Sequence, residues 1–203
     1  MAHASEQEEL LVRRARQGDV AAFERLVDLC APRVYNLAYR MVGNPDDAQD
    51  IAQEAFVRVY QALPHFKGDA AFSTWLYRIV VNACYDELKR RGRRPASFSD
   101  FERDEDQDES HIDNLTTGET AEDTLLQHER QRIVQQAIQA LAEPFRLVLI
   151  LYDVRGVSYQ EIADILHTNV GTVKSRLNRA RNQLREKLAA NWELFSRANS
   201  PKR

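Results

Sequence analysis

The side chains best suited to specific chemistry lie between residues 171 and 187. This stretch has six basic residues against one acid, Glu186, with Ser175, Asn178 and Asn182 among them. Guanidinium, ammonium, amide and hydroxyl groups hold phosphates and read base edges in a DNA groove. On a lone helix, an ordinary solvated basic face would be the better interpretation. The basic residues are Lys174, Arg176, Arg179, Arg181, Arg185 and Lys187.

The elements that must position these side chains form a helix-turn-helix. Ser158 and Glu161 have capping-box spacing, which predicts that a first helix begins at Ser158. Thr168 or Asn169 can cap a second helix. Apolar residues recur on one side of each helix, and a paired arrangement of this kind favours DNA contact over a solvated face. The predicted buried residues are Ile162, Ala163, Ile165 and Leu166, then Val173, Leu177, Ala180, Leu184 and Leu188.

Length and composition restrict the class of protein. With 203 residues, of which 43% are hydrophobic, the chain suits one or two small domains with real cores. It has no run of eighteen apolar residues and no charged-then-apolar leader, so we expect a cytoplasmic protein without membrane insertion. Cys30 and Cys84 lack CxxC spacing and are predicted to be buried free thiols. We expect no metal, no cofactor and no enzyme activity, because nucleophile and phosphate-loop motifs are missing.

The formal net charge of −3 conceals a strong asymmetry. Residues 100–123 contain eleven acids and one base, Arg103, and so carry −10, which leaves +7 on the rest of the chain. Residues 96–124 also have little apolar content and no period, which predicts a flexible acidic linker. Charge asymmetry of this kind is typical of a modular chain.

The N-terminal residues 6–42 show helical spacing of apolar side chains. Gly18 and Asp19 separate a first helix from a second, and Pro32 predicts a junction between the second and a third, since proline is tolerated in a first turn. A further helix follows an Asn44 cap and Pro45. Its apolar stripe is backed by acids at 46, 47, 50 and 54, which either favour the helix dipole or dock a basic partner; the residues alone leave this open.

The helix predicted at residues 71–91 combines aromatic side chains with a basic end. Lys89, Arg90, Arg91 and the arginines at 93 and 94 could follow phosphates, below aromatic rings that could receive unstacked bases. Trp75 and Ile79 are four residues apart and fit a core better than a base platform. Pro95 ends this helix, and helical spacing resumes at Leu125 and again after Pro144.

These patterns predict an all-α protein made of two small helical domains joined by a flexible acidic linker. The predicted boundaries are residues 1–95 for the first domain, 96–124 for the linker, 125–190 for the helix-turn-helix domain and 191–203 for a tail.

Three segments in this order resemble the signature segments of the extracytoplasmic-function (ECF) sigma factors of bacterial RNA polymerase. They are residues 47–56 (DAQDIAQEAF), residues 72–79 (FSTWLYRI) with Asn82, and residues 170–177 (VGTVKSRL). The resemblance implies a sigma region 2 domain at 1–95 and a sigma region 4 domain at 125–190. It implies promoter-specific transcription initiation, with core RNA polymerase (its largest and second-largest subunits), promoter DNA and an anti-sigma factor as partners.

The resemblance also assigns roles to residues. The acidic helix would hold a coiled coil of the polymerase's largest subunit, the aromatic and basic helix would capture a flipped base and phosphates at the −10 element, the recognition helix would read the −35 element, and the linker would thread the polymerase cleft. The polymerase-binding set is Asp47, Asp50, Ile51, Gln53, Glu54 and Phe56. The −10 set is Phe66, Lys67, Phe72, Trp75, Asn82, Lys89, Arg90 and Arg91. The −35 set is Thr172, Lys174, Ser175, Arg176, Asn178 and Arg179.

One alternative function stays open at this point. A helix-turn-helix transcriptional regulator could act without polymerase as an obligate partner, but it would need a dimer interface or an effector pocket. The N-terminal half offers an acidic helix and an aromatic, basic helix instead.

Overall fold

The computed structural model describes residues 6–93 and 121–189, with side chains for all of these except residues 93 and 121–125. Every regular element in these two ranges is helical, in agreement with the predicted all-α class. The helices are α1 (Glu6–Arg16), α2 (Val20–Val42), α3 (Pro45–Ala62), α4 (Phe72–Arg93), α5 (Ala121–Gln139), α6 (Glu143–Leu149), α7 (Tyr159–Ile165) and α8 (Val170–Ala189), with a 3₁₀ turn at Leu63–His65 and a π-helical turn at Ile150–Val154.

The N-terminal half consists of α1 to α4. Asp19 caps α2 by accepting the backbone N–H of Ala22 at 3.0 Å, and Asn44 caps α3 by accepting that of Asp47 at 3.0 Å. Gly43, between α2 and α3, has φ of +79°, a left-handed conformation that glycine adopts without a steric penalty. These caps explain the close turns that fold α2 onto α3.

The prediction that Pro32 separates two helices is wrong. Pro32 lies inside α2, which runs without a break from Val20 to Val42. Proline removes one helical hydrogen bond and crowds the preceding turn. The buried stripe nevertheless continues across it, because Leu26 and Cys30 before the proline and Val34 and Leu37 after it are all fully enclosed. Burial of this stripe outweighs the local penalty of one proline.

The C-terminal half consists of α5 to α8. Helix α5 begins at Ala121, four residues before the point where its apolar spacing starts, and the rest of the predicted linker and the predicted tail lie outside the described residues. Buried residues of both halves belong to one continuous hydrophobic cluster. Cys30 and Cys84 are buried free thiols, as predicted, and desolvation raises the pKa of Cys84 to about 12. No described helix has the length and hydropathy needed to cross a membrane.

Candidate nucleic-acid interface

The helix-turn-helix is fixed by side chains that cap its two helices. Ser158 caps α7: its Oγ accepts the backbone N–H of Glu161 at 3.3 Å, and the Glu161 carboxylate accepts the backbone N–H of Ser158 at 3.0 Å. Asn169 caps α8 by accepting the backbone N–H of Thr172 at 2.8 Å. The predicted capping box is therefore confirmed, and Asn169 is the residue that caps the recognition helix.

Helix α8 turns one face inward and the other outward. Val173, Leu177 and Ala180 are buried, and Leu184 and Leu188 are half-buried towards the end of the helix. The outward face carries the predicted −35 residues. Lys174, Ser175, Asn178 and Arg179 are exposed, and Thr172 and Arg176 are half-buried. Most of this set is thus presented on one exposed helical face.

The acidic side of α3 is an exposed surface with internal ion pairs. Asp50, Gln53 and Glu54 are exposed, and Glu54 pairs with Arg58 at 2.6 Å. Asp47 is half-buried and forms an ion pair with Arg91 of α4.

Two members of the predicted polymerase-binding set lie on or towards the opposite side of α3. Ile51 is only 3% exposed and packs in the core, and Phe56 is half-buried against that core. Residues close in sequence can lie on different sides of an α-helix, because each residue is rotated by about 100° from the one before it. The side chains of Ile51 and Phe56 are therefore not freely available on the acidic surface. They instead pack α3 against the rest of the N-terminal half.

The aromatic residues expected at the −10 element pack against one another. The ring centroids of Phe66 and Phe72 are 6.0 Å apart, those of Phe66 and Trp75 are 4.9 Å apart, and those of Phe72 and Trp75 are 5.8 Å apart. Phe66 is 9% and Phe72 is 6% exposed, whereas Trp75 is half-buried. Trp75 and Ile79, which were expected in the core, are half-buried and pack against it, whereas the two phenylalanines are buried. Only Trp75 of the three aromatic residues presents substantial ring surface.

The polar members of the −10 set are exposed, with one exception. Lys67, Asn82, Lys89 and Arg90 are exposed, and Asn82 and Lys89 line an open cleft of about 610 Å³ between the end of α4 and the start of α6. Arg91 is half-buried and donates to the backbone carbonyl of Val42 at 3.3 Å, in addition to its ion pair with Asp47. Arg91 thus joins α4 to the α2–α3 turn in this structure.

The two halves are locked together where α2 ends. Helix C-termini leave carbonyl groups without helical partners, and side chains of the C-terminal half donate to them. Gln139 Nε2 reaches the carbonyl of Arg40 at 2.6 Å, and Arg146 Nη1 reaches that of Met41 at 2.5 Å. Arg146 is 8% exposed, and its Nη2 also donates to the carbonyl of Leu141 at 3.0 Å. Burial lowers the pKa of Arg146, with Glu143 opposing the shift.

Two further contacts join the halves, one between α4 and α7 and one between Arg155, which follows the π-helical turn, and α2. Thr74 Oγ1 donates to Glu161 Oε1 at 3.2 Å. Burial alone would raise the pKa of Glu161, but hydrogen bonds from Ser158 and Thr74 outweigh it and the pKa is lowered. Arg155 Nη2 donates to the carbonyl of Arg33 at 3.0 Å. The halves therefore share a hydrogen-bonded interface built largely on backbone acceptors.

Sequence reasoning missed the residues of this interface. Arg146 lies within a predicted apolar helix, and Gln139 has no distinctive neighbours. The one available signal was an arginine in an otherwise apolar run, because a buried guanidinium requires acceptors. The sequence does not reveal that those acceptors belong to the other half.

Comparison with known proteins agrees with this architecture. Residues 26–94 match the family model described as Sigma-70 region 2, and residues 131–184 match that described as Sigma-70, region 4. The RNA polymerase sigma-H factor of Pseudomonas aeruginosa is 41% identical over 179 residues, which are 88% of this chain and 92% of that protein. The ECF RNA polymerase sigma-E factor of Escherichia coli K12 is 40% identical over 181 residues, 89% of this chain and 94% of that protein.

Solved structures give the same result for the fold. CnrH in complex with the cytosolic domain of CnrY aligns with a TM-score of 0.67 at 26% identity, covering 91% of this chain and 99% of that one. The sigma factor RpoE of Bartonella quintana, in complex with the anti-sigma factor NepR, aligns with a TM-score of 0.62 at 24% identity, over 82% of this chain and 96% of that one. Together with the two relatives at about 40% identity, these matches show that the chain belongs to the ECF sigma factors of the sigma-70 family.

Proposed function

We propose that this chain binds core RNA polymerase in the cytoplasm and directs it to promoters that it recognises at a −10 and a −35 element. The observation that carries the proposal is the capped helix α8, whose exposed face bears Lys174, Ser175, Asn178 and Arg179 in a family member with both sigma regions. Amide and guanidinium groups on one exposed helical face suit base edges in a major groove. The role is one of binding and positioning rather than catalysis.

The N-terminal half, residues 1–95, would hold the polymerase through the acidic side of α3. Asp50, Gln53 and Glu54 supply exposed acceptors for a basic coiled coil of the largest subunit. Asp47 would join them by exchanging its partner Arg91 for a polymerase cation, and Ile51 and Phe56 would keep α3 in place. Charge complementarity of this kind fixes register and speeds association.

Strand opening at the −10 element would use the exposed edge of the aromatic cluster. Trp75 and Asn82 are accessible, whereas Phe66 and Phe72 form the wall on which Trp75 rests. Lys67, Lys89 and Arg90 can follow the phosphates, and Arg91 can join them after releasing Asp47. Extruding a base costs about a few kcal/mol, which pocket contacts and stacking must offset.

Promoter binding requires the two halves to separate from the arrangement described above. Residues 125–190 must reach the −35 element while residues 1–95 engage the −10 element, and the linker at 96–124 sets the span between them and passes through the polymerase cleft. Each weak contact then raises the effective concentration of the other. The bonds that must break include Thr74 to the Glu161 carboxylate and Gln139 to the backbone carbonyl of Arg40.

The anti-sigma factor NepR, bound to the structural relative RpoE, supports a further partner of that class, which would hold the two halves away from polymerase. Within the polymerase, the partners would be the largest subunit, which α3 would contact, and the second-largest subunit.

The test is transcription in vitro from a genomic promoter library with core polymerase, with and without the full chain. We expect the chain to direct initiation to a small set of promoters that share two spaced elements. A chain that binds those promoters equally well without core polymerase, and does not associate with core polymerase in a pull-down, would instead be an independent helix-turn-helix regulator.

A further inference from the structure

Two tyrosine rings stack beside the recognition helix. Tyr152 lies in the π-helical turn and Tyr159 is the first residue of α7; their ring centroids are 4.5 Å apart and the rings are inclined by only 7°. The neighbouring Tyr159, as a side-chain hydrogen-bond partner, raises the pKa of Tyr152. The π turn moves one residue out of α-helical register, and such turns are frequent at functional sites.

A cation from α8 lies over each ring. The ammonium nitrogen of Lys174 lies 5.5 Å from the centroid of Tyr159, and the guanidinium carbon of Arg181 lies 5.3 Å from that of Tyr152. Lys174 and Arg181 are seven residues apart, which places them about two turns, roughly 10.5 Å, apart along one face of α8. The four residues Lys174, Tyr159, Tyr152 and Arg181 form a cation–tyrosine ladder.

The two ends of the ladder differ in charge. Arg181 Nε donates to Asp153 Oδ2 at 3.0 Å, its Nη2 donates to the other carboxylate oxygen, and this pairing raises the pKa of Arg181. A two-bonded arginine–carboxylate pair is neutral overall and geometrically fixed. Lys174 forms no ion pair with any carboxylate in the part of the chain that the structure describes. The ladder is therefore anchored at Arg181 and positively charged at Lys174.

We propose that Tyr159 is a positioning residue that aims the Lys174 ammonium at promoter DNA, with Tyr152, Arg181 and Asp153 as its anchor. The inference rests on the proposed function, because it assumes that α8 contacts the −35 element. A free lysine side chain samples many rotamers, and ordering it on binding weakens affinity. An ammonium held over a ring is already ordered, yet its outer side remains open to an oxygen of DNA. Arg181, by contrast, is committed to Asp153 and contributes little to phosphate binding.

The experiment uses the full chain with core polymerase and a promoter selected by the wild-type holoenzyme, and it measures affinity as a function of salt concentration. We expect Tyr159→Leu to weaken binding about two- to fivefold, as loss of an exposed cation–π contact would. It should also reduce the slope of log affinity against log salt by up to about one. Tyr159→Phe keeps the ring and should retain wild-type affinity and slope. In a Lys174→Met background, Tyr159→Leu should produce no further loss.

The anchor provides a matched pair of variants. Arg181→Gln removes the anchor of the ladder and leaves the Asp153 carboxylate without its partner, so it should weaken binding and lower the salt slope in the same direction as Tyr159→Leu. Asp153→Asn should release Arg181 and increase the slope by about one, since each additional phosphate contact adds roughly that amount. Affinity for core polymerase and the thermal midpoint of unfolding are measured for each variant to detect a general loss of structure.

Three results would overturn the inference. Tyr159→Leu could match the wild type in affinity and slope, its loss could persist unchanged beside Lys174→Met, or Tyr159→Phe could fail to restore binding. Each of these results counts against the inference only when the wild-type holoenzyme recognises the promoter. A wild-type holoenzyme that ignores the −35 sequence would overturn the proposed function instead, and with it any role of the ladder in DNA binding.

Discussion

The two candidate DNA surfaces of this chain are built in opposite ways. The −35 residues stand on an exposed face of α8, over a separate buried stripe. The aromatic −10 residues Phe66 and Phe72 are themselves part of the core, and only Trp75 and the polar residues reach the surface. A surface that reads intact duplex can be preformed, because the base edges are already displayed in the groove. A surface that receives an extruded base needs apolar walls, and those walls also support the fold.

This difference predicts the largest effect for Phe72→Ala. Phe72 is 6% exposed and packs on Phe66 and Trp75, so truncation should lower the free energy of unfolding by about 3–5 kcal/mol. Chemical denaturation measures this directly. Lys67→Ala, on the exposed loop beside it, is the control and should leave stability unchanged. If Phe72→Ala impaired promoter opening without lowering stability, the ring would serve only to receive a base. The two DNA surfaces would then not differ in the way described above.

The contact between the halves should be nearly as sensitive. Arg146→Ala leaves the carbonyls of Met41 and Leu141 without their donor, which should cost roughly 3 kcal/mol of unfolding free energy. Small-angle scattering should show a larger radius of gyration if the halves come apart. Arg132→Ala, which removes a highly exposed ion pair with Glu129, is the matched control and should change stability by less than about 0.5 kcal/mol. Equal effects of the two variants would mean that the buried guanidinium does not lock the halves.

On the recognition helix, the expected loss is in affinity and not in stability. Arg179 is exposed, so Arg179→Ala should leave unfolding unchanged and weaken holoenzyme binding to its promoter by roughly 1–3 kcal/mol if the side chain makes a bidentate base contact. Binding is titrated on the promoter and on a promoter with a scrambled −35 element. An equal loss on both would reduce the role of Arg179 to a phosphate contact.

The smallest expected effect concerns pH. Glu161 has a lowered pKa because hydrogen bonds from Ser158 and Thr74 outweigh its burial. The unfolded chain therefore binds this proton more readily, so the stabilisation is present above the ordinary value of 4.5 and is lost as pH falls below it. Unfolding measured between pH 3 and pH 7 should show this loss for the wild type. Glu161→Gln should be less stable at neutral pH and should lack that part of the acid dependence; identical pH profiles would contradict the assignment.

Local signals in the sequence were enough for most helix ends. The Ser158–Glu161 capping box and the Asn44–Pro45 start depend only on neighbouring residues, and both were predicted and are present. Pro32 shows where such reasoning fails. Its local preference for a helix start is overridden by a stripe of buried side chains on both sides, which only the packing of α2 against its neighbours makes favourable.

The candidate sites divide in a similar way. The exposed residues of α8 and α3 could be predicted from helical periodicity, which separates an apolar face from a polar one. Periodicity did not separate Phe66 and Phe72 from Trp75, because an aromatic ring suits a core as well as a base platform. The contacts of Arg146, Gln139, Tyr152 and Tyr159 depend on residues elsewhere in the chain, and the only local signal was the arginine in an otherwise apolar run.

By itself, the sequence determined the all-α class, the caps, the face of each helix that is apolar and the three segments that resemble those of ECF sigma factors. These features arise from interactions within a few residues, which spacing records directly. Only the tertiary structure decided that the two halves meet at the open end of α2, that Arg91 is held by Asp47, and that Lys174 rests on Tyr159. These contacts join atoms distant in sequence, and their existence depends on how helices dock rather than on how each one forms.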